Sequence, residues 1–241
     1  RHSALSDATG GLVKDAGGCG GWQVRAAPAG KAPPPGHYFQ REVRGTPMSA
    51  TFVANGRDAI VLGINQQLVQ RIGARPFVFC GVVGPLPMDA ALAQGVERAV
   101  RALAAEFELR GLGSLDFMHD GDAFAVLEVN PRPPASVALY RNQRPIAAHL
   151  RACREGVLPE RAPQALTHGT EIVFARQPLR LGSAAARELA AQLQCHDLPR
   201  AGSVFAAGDP LCSVSAQGGS AEDVVAQLAG RRDAVLNRLE R

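Results

Sequence analysis

Two acidic side chains and one amide near the middle of the sequence have the types and spacing of a cation site. Asp116 is followed twelve residues later by Glu128, and Asn130 comes two residues after that. Mg²⁺ prefers hard oxygen ligands in near-octahedral geometry and usually keeps phosphate oxygens and water among them. Two carboxylates and an amide oxygen meet that requirement, so we expect Asp116, Glu128 and Asn130 to bind magnesium. Arg132 continues the same row of alternate residues.

Two predicted strands bring these residues together. Residues 115–119 and 123–129 alternate in polarity, and Asp120-Gly121-Asp122 between them is typical of a tight hairpin turn. Adjacent strands then place Asp116 and Glu128 side by side. An alternative is that both carboxylates are solvent-facing residues beside a turn, because acidic side chains are mostly exposed. The grouping of four polar residues among apolar neighbours favours the site.

Lys14 and the glycine-rich segment 17–21 form a second candidate, between short predicted strands at 12–14 and 22–25. Backbone N–H groups of such a loop can bind phosphate oxygens, and a lysine supplies a point charge for the same anion. The segment has neither the order of a P-loop nor the position of a dinucleotide-binding turn. A flexible hairpin tip therefore explains the glycines equally well.

Gln40 and Val43 lie on a strand that is predicted over residues 38–43. The side-chain amide of Gln40 and nearby backbone groups have the donors and acceptors needed to read the edge of an adenine ring. An exposed polar residue on a strand is an equally ready explanation. The sequence alone therefore leaves both interpretations of Gln40 open.

The remaining pattern mixes strands and helices without strict alternation, which predicts an α+β fold. Strands are predicted at 49–54 and 57–64, and an amphipathic helix at 88–110 is expected to end at Gly111 and Gly113. A helix over 136–156 is interrupted at Pro145. For the last third, the pattern predicts a strand at 171–175, a helix at 184–193, a strand pair across 203–216 and a closing helix at 221–241.

Composition places the chain of 241 residues among soluble globular proteins, with 46% hydrophobic and 20% charged residues. The net charge of +4 is scattered instead of forming a basic run, so we expect no nucleic-acid partner. No apolar stretch approaches the roughly 20 residues that span a bilayer, so we expect no membrane association. Five widely spaced cysteines argue against a zinc site or a disulfide framework and favour a cytoplasmic setting.

The order of these features resembles the ATP-grasp superfamily, whose members include D-alanine ligase, biotin carboxylase and several purine-biosynthetic ligases. The resemblance covers roughly residues 12–140 and is most diagnostic at the acidic cluster, Asp116 and Glu128-x-Asn130-Pro131-Arg132. The twelve-residue step from Asp116 to Glu128 is similar to that of biotin carboxylase-like members. Residues 202–210 resemble the small C-terminal region of related carboligases.

The resemblance implies an ATP-grasp fold, in which two lobes with antiparallel sheets grip ATP. A lid lobe is expected at residues 1–45, a catalytic lobe at 46–158 and a small α/β extension at 159–241. Relatives place a further domain before the strand of Lys14, where this sequence has only thirteen residues. We therefore expect either that the sequence is truncated or that a partner completes the site.

The resemblance also implies how ATP is bound. Lys14 is expected to contact the α- or β-phosphate, Gln40 to read the adenine amino group, and Val43 to supply backbone hydrogen bonds at the hinge. Four glycines are expected to form a lid over the phosphates: Gly17, Gly18, Gly20 and Gly21. Thr46 and Pro47 stand where many relatives have a glutamate for the ribose hydroxyls, so ribose recognition is not predicted.

For the chemistry, the resemblance implies that Asp116, Glu128 and Asn130 ligate one or two magnesium ions, with manganese as an alternative. Arg132 is expected to face the γ-phosphate and the acyl phosphate formed from it. The expected activity is an ATP-dependent ligase that joins a small-molecule carboxylate to an amine and releases ADP and phosphate. A bicarbonate-activating carboxylase and a nucleotide-binding module without catalysis remain open alternatives, and a homodimer is a further expectation.

Overall fold

The computed structural model describes residues 11–28, 31–121, 123–162 and 164–239. The first ten residues, for which the sequence predicts no element, and Asp122 of the predicted turn lie outside these ranges. The chain divides into two compact units. Unit 1 contains the described residues up to Arg44 and Val69–Cys80, and unit 2 contains Gly45–Leu68 and the residues from Gly81 onward. Residues 69–80 thus belong with the N-terminal part of the chain, which the sequence pattern does not predict.

Unit 1 contains a three-stranded antiparallel sheet. Its strands are β1 (Gly11–Asp15), β2 (Arg25–Ala26) and β3 (His37–Arg41), in the order β2-β1-β3. Val13 at the centre of β1 is buried. The predicted strand at 22–25 is displaced towards the C-terminus, because residues 21–23 form a turn in which the N–H of Val24 donates to the carbonyl of Gly21 at 3.2 Å.

Unit 2 is built on an eight-stranded sheet, and two of its strands, β5 and β6, continue into unit 1. The strands are β4 (Thr46–Asn55), β5 (Ala59–Ile72), β6 (Arg75–Gly84), β7 (Arg110–Asp120), β8 (Ala123–Asn130), β9 (Thr167–Phe174), β11 (Cys195–His196) and β13 (Pro210–Gly218). Their order is β11-β13-β9-β6-β5-β4-β7-β8. Three strands of the C-terminal part, β9, β11 and β13, therefore extend the same sheet.

Helix α1 (Ala90–Glu106) begins at Asp89, whose carboxylate accepts hydrogen bonds from the N–H groups of Ala91 and Leu92. The prediction that Gly111 and Gly113 end this helix is wrong, because both glycines lie in β7. A Cβ atom at Gly111 would overlap the ring of His149, and one at Gly113 would overlap Phe52. These glycines therefore allow close packing and do not act as a helix stop.

After β8 the chain forms a 3₁₀ helix (Ala135–Gln143) and then α2 (Pro145–Glu155), with Arg144 in the left-handed region at φ 47°. The predicted interruption at Pro145 is confirmed. Helices α3 (Ser183–Ala190) and α4 (Ala221–Leu239) follow.

Two strands lie across the predicted span 203–216, but the prediction that they form a pair is wrong. Strand β12 (Val204–Phe205) pairs with β10 (Leu179–Arg180), while β13 pairs with β9 and β11. Asp209 explains the separation, because its carboxylate accepts the N–H of Ala206 at 2.7 Å and its carbonyl accepts the N–H of Ala175 at 2.9 Å. The two strands therefore pair with different neighbours.

Two apolar clusters form the core of unit 2. One packs α1 against β4, β5 and β7, with Leu92, Val96 and Val100 on the buried helix face. The other packs α3 and α4 against β9 and β13, with Val224, Leu228 and Val235 buried. Among the described residues, no helix combines the length and apolar character needed to cross a membrane.

Candidate active site

Strands β7 and β8 place the predicted acidic residues opposite each other. Asp116 pairs directly with Glu128, and Ser114 pairs with Asn130. The register shifts between Asp116 and Phe117, because Phe117 pairs with Val126, which makes Leu127 the extra residue of a β-bulge. The bulge lies next to the two carboxylates.

Burial explains why Asp116 faces away from the apolar core. Its neighbours Leu115 and Phe117 are fully buried, and their side chains point to the opposite side of β7. Asp116 is partly buried, and Glu128 and Arg132 are exposed. The cluster therefore lies on the face of the hairpin away from this core and extends from a buried carboxylate to exposed side chains.

Hydrogen bonds connect all four predicted side chains. The Asn130 Nδ2 group donates to Asp116 Oδ2 at 3.2 Å and to Glu128 Oε1 at 3.3 Å, and Arg132 Nη2 donates to Asn130 Oδ1 at 3.3 Å. The amide thus turns its nitrogen towards the carboxylates. Ligation of a cation through Asn130 would require the amide to turn over and present its oxygen.

Asp116 is the carboxylate of the cluster whose pKa burial shifts. Burial, followed by the charge of Glu128, raises the pKa of Asp116 to about 6, although hydrogen bonds with Gln67 and Ser114 and the charge of Arg132 act in the opposite direction. Its Oδ1 atom is buried and accepts no hydrogen bond of normal geometry. A buried carboxylate oxygen without such a donor leaves the site short of positive charge.

These residues fit a bound magnesium ion. The unsatisfied Oδ1 atom of Asp116 and the adjacent carboxylate of Glu128 are hard oxygen donors. Within the described ranges, no group of three or more His, Cys, Asp and Glu residues could hold a metal. The donor set is thus two carboxylates and an amide, which suits magnesium with phosphate oxygens and water as further ligands.

In unit 1, Lys14 and Gln40 lie on one face of the small sheet. Lys14 pairs with Tyr38, and Leu12 pairs with Gln40. Opposite residues in antiparallel strands share a face, as do residues two apart on one strand, so Lys14 and Gln40 are on the same side. Val43 was expected on this strand, but β3 ends at Arg41 and Val43 is half-buried in the segment that follows.

The glycine-rich segment between β1 and β2 has two different halves. The first half begins at Gly17, whose N–H donates to Asp15 Oδ1 at 2.9 Å, and Gly17 and Gly18 are exposed. The second half is attached to β6, because the carbonyl of Gly20 accepts the N–H of Phe79 at 2.9 Å. A Cβ atom at Gly21, which has φ 76°, would overlap the carbonyl of Phe77.

The glycines of the expected lid therefore do not share one role. Gly20 and Gly21 have local reasons to be glycine, namely positive φ angles and, at Gly21, close approach to a neighbouring backbone. Neither Gly17 nor Gly18 has a positive φ angle, and a Cβ atom at Gly17 would meet only an ordinary contact with Asp15, whereas one at Gly18 would come close to the Gln23 side chain and the Asp15 carbonyl. In the described segment, the contacts with β6 are made from Gly20 onward.

Two neighbours of Asp116, Gln67 and Ser114, were not predicted from the sequence. Ser114 could have been found from strand alternation, because it lies two residues before Asp116 on the same face. Gln67 could not have been found in this way, because the strand predicted from the sequence ends at residue 64, whereas β5 continues through Gln67 to Ile72. Strand β6, to which the glycine-rich segment is attached, was also not predicted.

The comparisons with known proteins identify the family of the chain. A family model described as an ATP-grasp domain matches residues 3–136, which is more than half of the chain. The chain belongs to the ATP-grasp family. The prediction of an ATP-grasp enzyme with an α+β fold is therefore confirmed at the level of the family. No curated protein matches the sequence.

Solved structures of ATP-grasp enzymes are similar to the chain in fold. The L-amino acid ligase from Bacillus licheniformis superposes with a TM-score of 0.62 at 13% identity, over 81% of this chain and 52% of that one. The ADP complex of purK, N5-carboxyaminoimidazole ribonucleotide synthetase, superposes with a TM-score of 0.67 at 14% identity, over 97% of this chain and 63% of that one. Biotin carboxylase from Campylobacter jejuni superposes with a TM-score of 0.66 at 12% identity, over 96% of this chain and 61% of that one.

These likenesses establish the fold of this ATP-grasp chain and no more. The chain spans about half of the length of the ligase and a little over three fifths of the other two proteins. The reaction, the substrates and the roles of individual residues therefore rest on the geometry of the site.

Proposed function

We propose that this chain is the ATP-binding and catalytic part of a ligase that joins a carboxylate to an amine. The observation that carries the proposal is the hydrogen-bonded cluster of Asp116, Glu128, Asn130 and Arg132, which includes a buried carboxylate oxygen without a donor. In an ATP-grasp fold, such a cluster supplies what phosphoryl transfer requires, namely positioning and charge neutralisation.

The proposed reaction has two steps. A carboxylate oxygen of the acid attacks the γ-phosphorus of ATP, which forms an acyl phosphate and breaks the bond to ADP. The amine then attacks the acyl carbon, loses a proton and displaces inorganic phosphate to give the amide. Arg132 stabilises negative charge on the transferring phosphoryl group during the first step.

Magnesium, held by Asp116, Glu128 and Asn130, would neutralise charge on the phosphate oxygens when bound. The chain must therefore keep Asp116 ionised in the loaded site, although burial favours its protonated form. The Gln67 and Ser114 side chains, which favour the charged form, assist in this role. Manganese, which also accepts oxygen ligands, is proposed as a substitute.

Unit 1 supplies the proposed nucleotide contacts. Lys14 binds the α- or β-phosphate and Gln40 reads the adenine amino group, which agrees with their common sheet face. Val43 supplies backbone hydrogen bonds to adenine. The four glycines form the lid, in which Gly17 and Gly18 close over the phosphates while Gly20 and Gly21 anchor the loop to β6.

Three further expectations remain proposals: the domain bounds, the cellular setting and the oligomeric state. The lid lobe is assigned to residues 1–45, the catalytic lobe to 46–158 and the C-terminal extension to 159–241. A cytoplasmic setting is supported by the cysteines, since all five are thiols in the described residues. A homodimer is proposed without a specific interface.

A coupled assay of ADP and phosphate release across pairs of acids and amines tests the proposed reaction. We expect turnover only when an acid and an amine are both present, and an amide as the product by mass spectrometry. Asp120→Asn is the matched control for substitution of Asp116, because Asp120 is an exposed carboxylate at the end of the same strand, β7. Turnover that depends on bicarbonate would indicate the carboxylase instead, and ATP binding without turnover would indicate a binding module.

A further inference from the structure

Four polar side chains form a buried network beneath the segment that follows the acidic cluster. Thr51 lies on β4, Asn65 on β5, and Ser136 and Tyr140 on the 3₁₀ helix. All four are almost inaccessible to solvent, with relative exposures between 0% and 4%. Buried polar groups are costly unless they are paired, so their hydrogen bonds decide what the network does.

Each member of the network has a partner. The Tyr140 hydroxyl donates to Asn65 Oδ1 at 2.5 Å, and Asn65 Nδ2 donates to Thr51 Oγ1 at 3.0 Å and to the carbonyl of Ser49 at 3.3 Å. Thr51 Oγ1 and Ser136 Oγ are 2.6 Å apart. Burial raises the pKa of Tyr140, so its hydroxyl keeps its proton and remains a donor.

Two glycines leave space for the side chains of this network. A Cβ atom at Gly63 would overlap the Tyr140 hydroxyl, and one at Gly84 would overlap the Asn65 amide. The network is therefore built into the packing of β5 and β6 and not only into the four side chains. A satisfied network of this kind fixes one geometry of the elements that it joins.

Arg132 lies in the short segment between β8 and the 3₁₀ helix that carries Ser136 and Tyr140. Arg132 lies between Asn130, the last residue of β8, and Ser136 in the first turn of the 3₁₀ helix. Pro131, Pro133 and Pro134 restrict the backbone on both sides of it. Arg132 thus lies between Asn130, whose carbonyl accepts its N–H at 2.9 Å, and Ser136, which is hydrogen-bonded to Thr51.

We propose that the buried network of Thr51, Asn65, Ser136 and Tyr140 is a positioning device for Arg132. It holds the segment after β8 so that the guanidinium lies ready for the γ-phosphate, and its members are positioning residues that do not touch the substrate. This inference rests on the proposed function, in which Arg132 binds the γ-phosphate of ATP.

The affinity ratio between ATP and ADP, measured by calorimetry with Mg²⁺ on the full chain, tests the inference because only ATP carries the γ-phosphate. We expect Thr51→Val and Tyr140→Phe each to lower the preference for ATP by about tenfold, which is about 1.4 kcal/mol. Thr51→Ser keeps the hydroxyl and is expected to restore the preference. In an Arg132→Ala background, Thr51→Val is expected to change the ratio no further.

A matched control is Thr167→Val, which removes another buried threonine hydroxyl of unit 2, one that donates to the carbonyl of Pro85 at 3.4 Å outside the network. It is expected to leave the ratio unchanged. If Thr51→Val does not fold, Tyr140→Phe and Ser136→Ala carry the same comparison.

Two outcomes would overturn the positioning role alone. In the first, the folded network variants keep the wild-type ratio although their stability falls. In the second, Thr51→Val lowers the ratio equally in the Arg132→Ala background. A wild-type ratio in Arg132→Ala itself would contradict the proposed γ-phosphate contact, and with it this inference.

Discussion

The acidic residues of unit 2 lie on two antiparallel strands, β7 and β8, and the glycine-rich loop of unit 1 joins two antiparallel strands, β1 and β2, but different contacts fix the two regions. Asp116 and Glu128 are placed by register within one hairpin. Gly20 and Gly21 are placed by the backbone of residues 77–79, far later in the chain. A local hairpin can therefore be predicted to assemble a site, whereas the mobility of a loop depends on a partner that spacing does not reveal.

Removing the carboxylate of Asp116 or of Glu128 tests whether the hairpin of β7 and β8 assembles a metal site, and it has the largest expected effect. We expect Asp116→Asn and Glu128→Gln each to reduce ADP production by about a thousandfold, because the phosphates lose the charge neutralisation worth several kcal/mol. The fold should remain, since both substitutions keep the side-chain size. Steady-state assays with Asp120→Asn as the control measure the effect, and wild-type rates in both variants would contradict the metal assignment.

Adding a single methyl group at a glycine tests whether the two halves of the glycine-rich loop are held differently. We expect Gly21→Ala to destabilise unit 1 by about 2–4 kcal/mol, because φ 76° disfavours a side chain and the new Cβ overlaps the carbonyl of Phe77. Gly17→Ala is the matched control and should change the stability by less than about 0.5 kcal/mol. Denaturation followed by the fluorescence of Trp22, the single tryptophan of the chain, reports on unit 1.

Equal stability of the two alanine variants would contradict the division of the loop into two halves. It would show that the close approach of Gly21 to the carbonyl of Phe77 does not require a glycine at this position.

The same comparison explains how much the sequence could predict. The hairpin of β7 and β8, the row from Glu128 to Arg132 and the buried face of α1 follow from periodicity and turn residues over short distances. The bulge at Leu127 and the association of residues 69–80 with unit 1 could not be predicted in this way, because long-range packing decides them. Gly111 and Gly113 show the same limit, since their packing partners Phe52 and His149 lie far from them in sequence.

The buried carboxylate of Asp116 makes the free energy of unfolding depend on pH in a way that a solvent-facing carboxylate would not. Because the pKa of Asp116 is raised from 3.8 to about 6, the folded chain keeps a proton that the unfolded chain releases. The free energy of unfolding should therefore fall by about 1–2 kcal/mol as pH rises from about 4 to 6 with EDTA present. Asp116→Asn should remove this slope in urea denaturation, and an unchanged slope would contradict the burial of the charge.

A smaller effect is expected at the exposed thiol of the loop. Cys19 is exposed in the half before Gly20, whereas Cys80, Cys195 and Cys212 are buried. If this half closes over bound nucleotide, Mg²⁺ and ATP should slow alkylation of Cys19 severalfold, as measured by peptide mass spectrometry. The partly buried Cys153 is the internal control, and equal slowing at both thiols would indicate a general loss of exposure instead of lid closure.

Anomalous diffraction from crystals grown with Mn²⁺ and a non-hydrolysable ATP analogue would locate the cation and the nucleotide together. We expect a manganese peak within about 2.0–2.6 Å of oxygens from Asp116 and Glu128, with the Asn130 amide turned so that its oxygen faces the ion. Arg132 should then contact the γ-phosphate. A peak held by other residues, or a nucleotide bound away from the hairpin of β7 and β8, would contradict the account.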